Sequence, residues 1–164
     1  MKTRKGKFLT IAVAFVVLTS LLYFYMQDKR DIHTASNSGL SPEAYDVMYR
    51  RGTEAPFSSP LDKEFRKGKY GTADTGLPVY RSEDKYDSGT GWPSFIKPID
   101  GSIELREDFS IFGKRMEVVS KDTGAHLGHV FDDGPLPLGK RYCMNGVALR
   151  FVPDSHETTI APKS

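Results

Sequence analysis

The chain of 164 residues has one cysteine, Cys143, and one tryptophan, Trp92. A single thiol closes no disulfide within the chain and cannot furnish the several thiolates of a structural zinc site. Any chemical role for Cys143 is therefore that of a nucleophile or a redox centre. A basic stripe is also missing. The net charge is +2, but six of the 23 basic and one of the 21 acidic residues lie in the first 30, which leaves the remainder at −3. A slightly acidic remainder gives no support for nucleic-acid binding. No internal repeat or low-complexity tract is present.

Turn formers are plentiful: 15 glycines and 10 prolines, with 12% aromatic residues. This favours a loop-rich or β-rich domain over a helical bundle, and the length suits one domain with a real core. Residues 1–30 read as a membrane anchor or signal segment. Lys2, Arg4, Lys5 and Lys7 precede the uncharged run Phe8–Met26. As a helix this run would span about 28 Å, close to a bilayer's hydrocarbon core. The positive flank predicts an uncleaved anchor with the C-terminal domain exported, secretion after cleavage being the alternative. Residues 31–40 read as a linker, 41–153 as the folded domain and 154–164 as a polar tail.

Ser41-Pro42-Glu43 is a helix start, with Ser as N-cap and Pro at the first position; the helix is expected to end at Gly52. Ser59-Pro60 repeats that signature and predicts a second short helix closed by Gly68. The stretches Leu77–Tyr80, Ser94–Ile99, Ser102–Leu105, Arg115–Val119, Leu127–Phe131 and Val147–Val152 then read as strands of a compact antiparallel domain.

The chemistry concentrates in two runs, His126-Leu127-Gly128-His129-Val130-Phe131-Asp132-Asp133-Gly134 and Arg141-Tyr142-Cys143-Met144-Asn145. The thiolate is the reactive form of a cysteine, so Cys143 needs a lowered pKa or a base. Histidine can exchange protons near neutral pH, and Arg141 can favour the anion. Two histidines three apart on an extended strand face opposite ways, so one of the pair could be structural. His-x-x-His with no third ligand in view is not read as a metal site, and Asp132-Asp133-Gly134-Pro135 could be only a turn.

With Gly52-Thr53-Glu54-Ala55-Pro56-Phe57 and Ser88-Gly89-Thr90-Gly91-Trp92-Pro93-Ser94-Phe95, these runs resemble the B-type methionine sulfoxide reductases over about residues 40–152. The resemblance implies a mainly β fold of two antiparallel sheets, tent-like, with short N-terminal helices. It implies reduction of the R epimer of methionine sulfoxide in oxidised proteins. Cys143 would be the nucleophile, passing through a sulfenic acid. His129 and His126 would line the site with His129 the better acid, and Asp133 and Arg141 would form its polar surround. Trp92, Asn145 and Phe131 would hold the substrate. A non-catalytic binder of oxidised proteins, or a thiol-based redox sensor, is the alternative on the same fold.

Two departures stand out. Many members hold structural zinc with two Cys-x-x-Cys pairs, and the matching positions here are Thr72, Thr75, Ser120 and Thr123. Neutral hydroxyls do not replace thiolates, so no metal or other cofactor is expected. Thr90 occupies one common place of a resolving cysteine, so a thioredoxin-like or other external thiol must regenerate Cys143.

Overall fold

The structure, a computed structural model, describes residues 13, 15–23, 25–26, 39–110 and 113–154. Chain contacts divide it into two units, Met1–Pro42 and Glu43–Ser164. In the first, residues 13, 15–23 and 25–26 are helical and exposed. The expected anchor Phe8–Met26 lies partly outside the described residues, as do most of the linker and of the tail. Among the described residues no helix is long and apolar enough to cross a membrane.

The first helix, α1 (Pro42–Arg50), starts where the Ser-Pro signature places it and buries Ala44, Val47 and Met48. It stops because Arg51 turns left-handed, at φ 60°. At Gly52 a side chain would come within 2.6 Å of Asp46 Oδ2. The second predicted helix is only the 3-10 turn Pro60–Lys63, capped by Ser59 Oγ, which accepts from Leu61 N. Glu64 already has extended geometry (φ −84°, ψ 111°), and Gly68 opens a strand instead of closing a helix.

Among the described residues nine strands follow: β1 (Gly68–Thr72), β2 (Pro78–Arg81), β3 (Lys85–Tyr86), β4 (Ser94–Phe95), β5 (Ile103–Ser110), β6 (Gly113–Ser120), β7 (His126–Phe131), β8 (Arg141–Met144) and β9 (Leu149–Pro153). They form a three-stranded sheet, β2-β1-β9, and a six-stranded sheet, β3-β4-β8-β7-β6-β5. Every pairing is antiparallel. The mainly β fold with two antiparallel sheets is thus the one the resemblance implied. The long Ser94–Ile99 strand is only two residues, and Val147 lies in a 3-10 turn (Gly146–Ala148) before β9 begins.

Aromatic side chains join the sheets. Tyr80 of β2 stacks on Phe95 of β4 at 4.2 Å, and Tyr70 of β1 meets Phe95 edge-on at 5.0 Å. All three rings are fully buried, as are Val118, Leu127 and Met144. Tyr80 gives its hydroxyl proton to the Met144 sulfur at 3.1 Å. Truncating a buried ring such as Phe95 to alanine typically costs about 3–5 kcal/mol, so this junction fixes β4 of the larger sheet against β1 and β2 of the smaller one.

Candidate active site

Strand register assembles the site. On the sheet, Cys143 of β8 lies directly between Ser94 of β4 and His129 of β7. Directly opposed residues share a face with Cβ atoms about 5 Å apart. Two positions along the same face, Phe131 of β7 opposes Arg141 of β8. Asp108 of β5 opposes Arg115 of β6. A cavity of about 140 Å³ opens over this row, lined by Thr53, Trp92, Arg115, His129, Phe131 and Cys143 among others. A larger cleft, about 450 Å³, lies at Leu77–Val79, Ile99–Ser102 and Ser120–Asp122, and neither histidine nor cysteine lines it.

Burial pushes the Cys143 thiol above its ordinary range. The Arg141 charge and hydrogen bonds from the Thr90, Arg141 and Ser94 side chains pull it back only in part. The resting sulfur is accordingly a thiol at neutral pH, not the pre-formed thiolate that the neighbouring cation suggests.

His129 Nε2 lies 2.9 Å from Asp108 Oδ2, and Arg115 donates to the same oxygen at 2.8 Å. A carboxylate only accepts, so Nε2 carries the proton and Nδ1 is left as an acceptor. Burial lowers the His129 pKa, against the raising effect of Asp108, and keeps the ring neutral. Hydrogen bonding from His129 holds the Asp108 carboxyl below its usual range.

His126 does not face away from His129. Val118 pairs with Gly128 and Val119 with His126, which leaves Leu127 as the extra residue of a β-bulge. The bulge breaks strict alternation, and the two imidazoles meet edge to face at 5.2 Å. His126 Nδ1 donates to the buried Glu117 Oε1 at 2.8 Å, and the Arg51 guanidinium sits 3.1 Å from Glu117 Oε2. Nε2 is buried with no hydrogen-bond partner among the described residues. Burial, the largest influence, lowers the His126 pKa. Gly128 is required here, because a Cβ would strike the Cys143 carbonyl oxygen.

Arg141 is held on both sides. Its Nε and Nη2 each donate to Asp133 at 2.8 Å, and its guanidinium lies 4.5 Å over the Phe131 ring. Asp133 thus reaches the site through Arg141. Trp92 is oriented by Nε1 donating to Glu54 O at 3.2 Å. The amide of Asn145 is engaged by the backbone: Glu54 N donates to its Oδ1 at 3.1 Å, and its Nδ2 donates to Leu127 O at 3.2 Å. Asn145 therefore fixes the floor of the cavity as well as lining it. The Glu54 carboxylate accepts from Gly146 N at 2.6 Å and Val147 N at 2.9 Å, which ties the strand end after Cys143 to the segment behind Trp92.

Asp108, Glu117, Arg115 and Arg51 were not singled out from the sequence. Charged residues on strands read as solvent-facing, and nothing local marks them. Glu54 lies in the Gly52–Phe57 run, and only its long-range bonds to Gly146 N and Val147 N reveal its part in the site.

The four positions matching zinc-binding cysteines do not fit a metal. Thr72 Oγ1 and Thr75 Oγ1 bond each other at 2.9 Å, and Thr123 Oγ1 donates to Asp74 Oδ2 at 3.0 Å. Tyr49 OH and Thr75 N also donate to Asp74, at 2.8 and 2.7 Å. The threonine hydroxyls are spent on one another and on one carboxylate, and Ser120 Oγ accepts from Thr123 N at 3.5 Å. Among the described residues no group of three or more His, Cys, Asp or Glu side chains is placed to hold an ion.

Residues 40–153 match the family model described as the SelR domain. A relative from Methanosarcina barkeri named peptide methionine sulfoxide reductase MsrB is 50% identical over 113 residues, covering 68% of this chain and 80% of its own. A Leptospira interrogans relative of the same name is 44% identical over 113 residues, covering 68% and 86%. A Vibrio cholerae protein named MsrA/MsrB is 49% identical over 110 residues, covering 66% of this chain and 29% of its own. With a domain model spanning most of the chain and relatives at this identity, the chain belongs to the B-type peptide methionine sulfoxide reductase family.

Proposed function

We propose that this domain reduces methionine-R-sulfoxide in proteins to methionine, with Cys143 as nucleophile. The observation that carries the reading is the Cys143 sulfur in register with His129 under a cavity walled by Trp92 and Phe131. The net step is balanced: Cys–SH and a sulfoxide become Cys–S–OH and a thioether. The sulfoxide S–O bond breaks, an S–O bond forms at Cys143, and the thiol's proton ends on the transferred oxygen.

The resting thiol needs a base, and His129 with its acceptor Nδ1 supplies one. The imidazolium so formed, stabilised by Asp108, then returns the proton as acid to the oxygen. Arg141 and Arg115 place positive charge beside the developing anions. Trp92 and Phe131 offer apolar contact to the substrate's methyl group, and His126 backs His129 from Glu117. Two external thiols complete the cycle: Cys–S–OH and two R–SH give Cys–SH, R–S–S–R and water. We assign the donor as a thioredoxin-like or other thiol, since the chain has no second cysteine. The cycle needs no metal or organic cofactor.

We also place the domain outside the cytoplasmic membrane, tethered by residues 8–26, on the charge bias and apolar run described above. A C-terminal reporter active only after export should be active, and carbonate washing should leave the protein in the membrane. A cytoplasm-only reporter signal would overturn the placement. For the activity, full-length protein with dithiothreitol should convert the R epimer and leave the S epimer. Turnover of S alone would overturn the assignment.

A further inference from the structure

Arg51 ends α1 in a left-handed conformation, φ 60°, which glycine adopts freely and arginine does not. Glycine would stop the helix there without strain, so the side chain is what arginine adds. Its guanidinium reaches inward. Nη2 lies 3.1 Å from Glu117 Oε2, although the Glu117 side chain is only 2% exposed. The other oxygen, Oε1, accepts from His126 Nδ1 at 2.8 Å. No further hydrogen bond reaches Oε2 among the described residues. Arg106 opposes Glu117 across β5 and β6, but its Nη2 pairs with Glu104 at 3.2 Å. Glu117 is also the direct cross-strand partner of His129, whose ring meets that of His126 edge to face at 5.2 Å. One buried carboxylate is thus shared by a surface cation and both imidazoles of the site.

A carboxylate buried this deeply needs one compensating positive charge. Two sources are within reach. Arg51 carries one at the surface. The other is a second proton on His126, which would put an imidazolium 5.2 Å from the His129 ring. Like charges that close oppose each other, so His129 would then resist the proton it takes from the Cys143 thiol. With Arg51 in place, Glu117 is matched from outside and His126 keeps its single Nδ1 proton. Burial, and to a lesser extent the Arg51 charge, lower the His126 pKa in keeping with this.

We propose that Arg51 is a positioning residue for the acid–base work of His129: acting through Glu117, it keeps the counter-charge at the surface and leaves His126 neutral beside the reacting ring. The proposal rests on His129 being the group that exchanges a proton with Cys143.

The test reads the ring first and the reaction second. Proton–nitrogen NMR spectra of the full chain in detergent micelles follow its four histidines, and the His126→Gln spectrum assigns the His126 signals. In wild type His126 should be the neutral Nδ1–H tautomer at about pH 7. Arg51→Gln should raise its pH midpoint by about one unit, tenfold in proton affinity. Arg51→Gly also relieves the left-handed strain and should give the same shift, which separates lost charge from lost folding. Arg51→Lys keeps a cation and should hold the midpoint within about 0.3 unit of wild type. The other groups facing the two rings stay unchanged: Glu117 and Arg115 on β6, Asp108 and Arg106 on β5, Cys143 and Arg141 on β8. With methionine-R-sulfoxide as substrate, the acid limb of kcat should move up with the His126 midpoint. Near pH 6.5 Arg51→Gln should be about fivefold slower than wild type, and near pH 8.5 the two should agree within about twofold, with KM little changed. A role in folding alone would lower kcat equally at every pH. An unmoved His126 midpoint in both Arg51→Gln and Arg51→Gly overturns the proposal, as does an acid limb that stays in place while the midpoint moves. The ring titration needs no sulfoxide, so a chain inactive on both epimers but with the midpoint shifted would fault the reductase reading and leave the Arg51–His126 relation standing.

Discussion

The Cys143 cavity and the Asp74 cluster use the same kinds of side chain to opposite ends. Around Asp74, burial alone would raise the carboxyl, yet hydrogen bonds from Thr72, Tyr49, Thr75 N and Thr123 outweigh it and hold the pKa below the ordinary range. Every donor there finds an acceptor, and the two turns 72–76 and 120–124 are linked through one oxygen pair. Around Cys143 the balance is left unfinished. Burial keeps the thiol protonated, His126 Nε2 has no partner among the described residues, and His129 retains an acceptor nitrogen. A cluster that only holds turns together can satisfy all its groups. A site that must exchange a proton and bind a sulfoxide keeps some of them available.

The sharpest break comes from Cys143→Ser. An alcohol is a far weaker nucleophile at neutral pH, so reduction of the R epimer should fall by about 10³-fold or more, while the thermal unfolding midpoint changes little. Appreciable residual turnover would remove Cys143 from the reaction.

Next in size is the pair His129 and Asp108. His129→Gln should cost about 10²-fold in kcat, the range of general acid–base catalysis. Asp108→Asn should cost about tenfold and distort the pH–rate profile, since it leaves the ring's tautomer unfixed. A rate for Asp108→Asn equal to wild type, with an unchanged profile, would show that Asp108 does not set the imidazole.

Asp74→Ala should do the reverse. It strands the donors Tyr49 OH and Thr123 Oγ1. A loss of about 1–3 kcal/mol in unfolding free energy is expected, with kcat retained. Denaturant titration checks the first and initial rates the second. A lost kcat in a folded protein would mean that the two regions are coupled.

The smallest effect separates the regions by pH. Burial depresses the folded-state pKa of His126 below 6.5. The unfolded chain therefore takes up that proton first, and the stability tied to a neutral His126 is full above about pH 6.5 and lost as pH falls below it. Asp74 behaves as a depressed carboxyl: its contribution holds above 3.8 and is lost as pH falls through its lower folded value. Tyr49 is raised to about 12, so its share persists below pH 10 and disappears as pH rises through 12. Between pH 6.5 and 5 the melting point of wild type should drop more than that of His126→Gln, whereas the difference between wild type and Asp74→Ala should stay flat. A parallel fall of wild type and His126→Gln would assign the acid sensitivity elsewhere.

Much of this molecule is legible in its sequence, for local reasons. Ser41-Pro42-Glu43 sets the start of α1, and the gap between Gly52 and Asp46 sets its end, both through contacts within a few residues. Four of the six expected strands overlap the observed ones closely, and the single cysteine, the two histidines and Trp92 announce a thiol chemistry by type alone. β1, β3 and β8 left no such trace. Arg141–Met144 shows no alternation because its strand is central and its neighbours on both sides, not water, decide which side chains it carries.

What only the tertiary structure decided is the relation among these groups. The bulge at Leu127 brings His126 to the same side as His129, which no period of two predicts. Asp108 and Glu117 become partners of those histidines because β5, β6 and β7 lie in one register, across 21 and 9 residues of chain. The direction of the Cys143 pKa depends on how deeply the six-stranded sheet buries the sulfur against how many donors reach it. Residue types and local turns follow from short-range sterics and hydrogen bonding. Desolvation and cross-strand contact depend on the whole packed domain, and the chemistry of the thiol is set there.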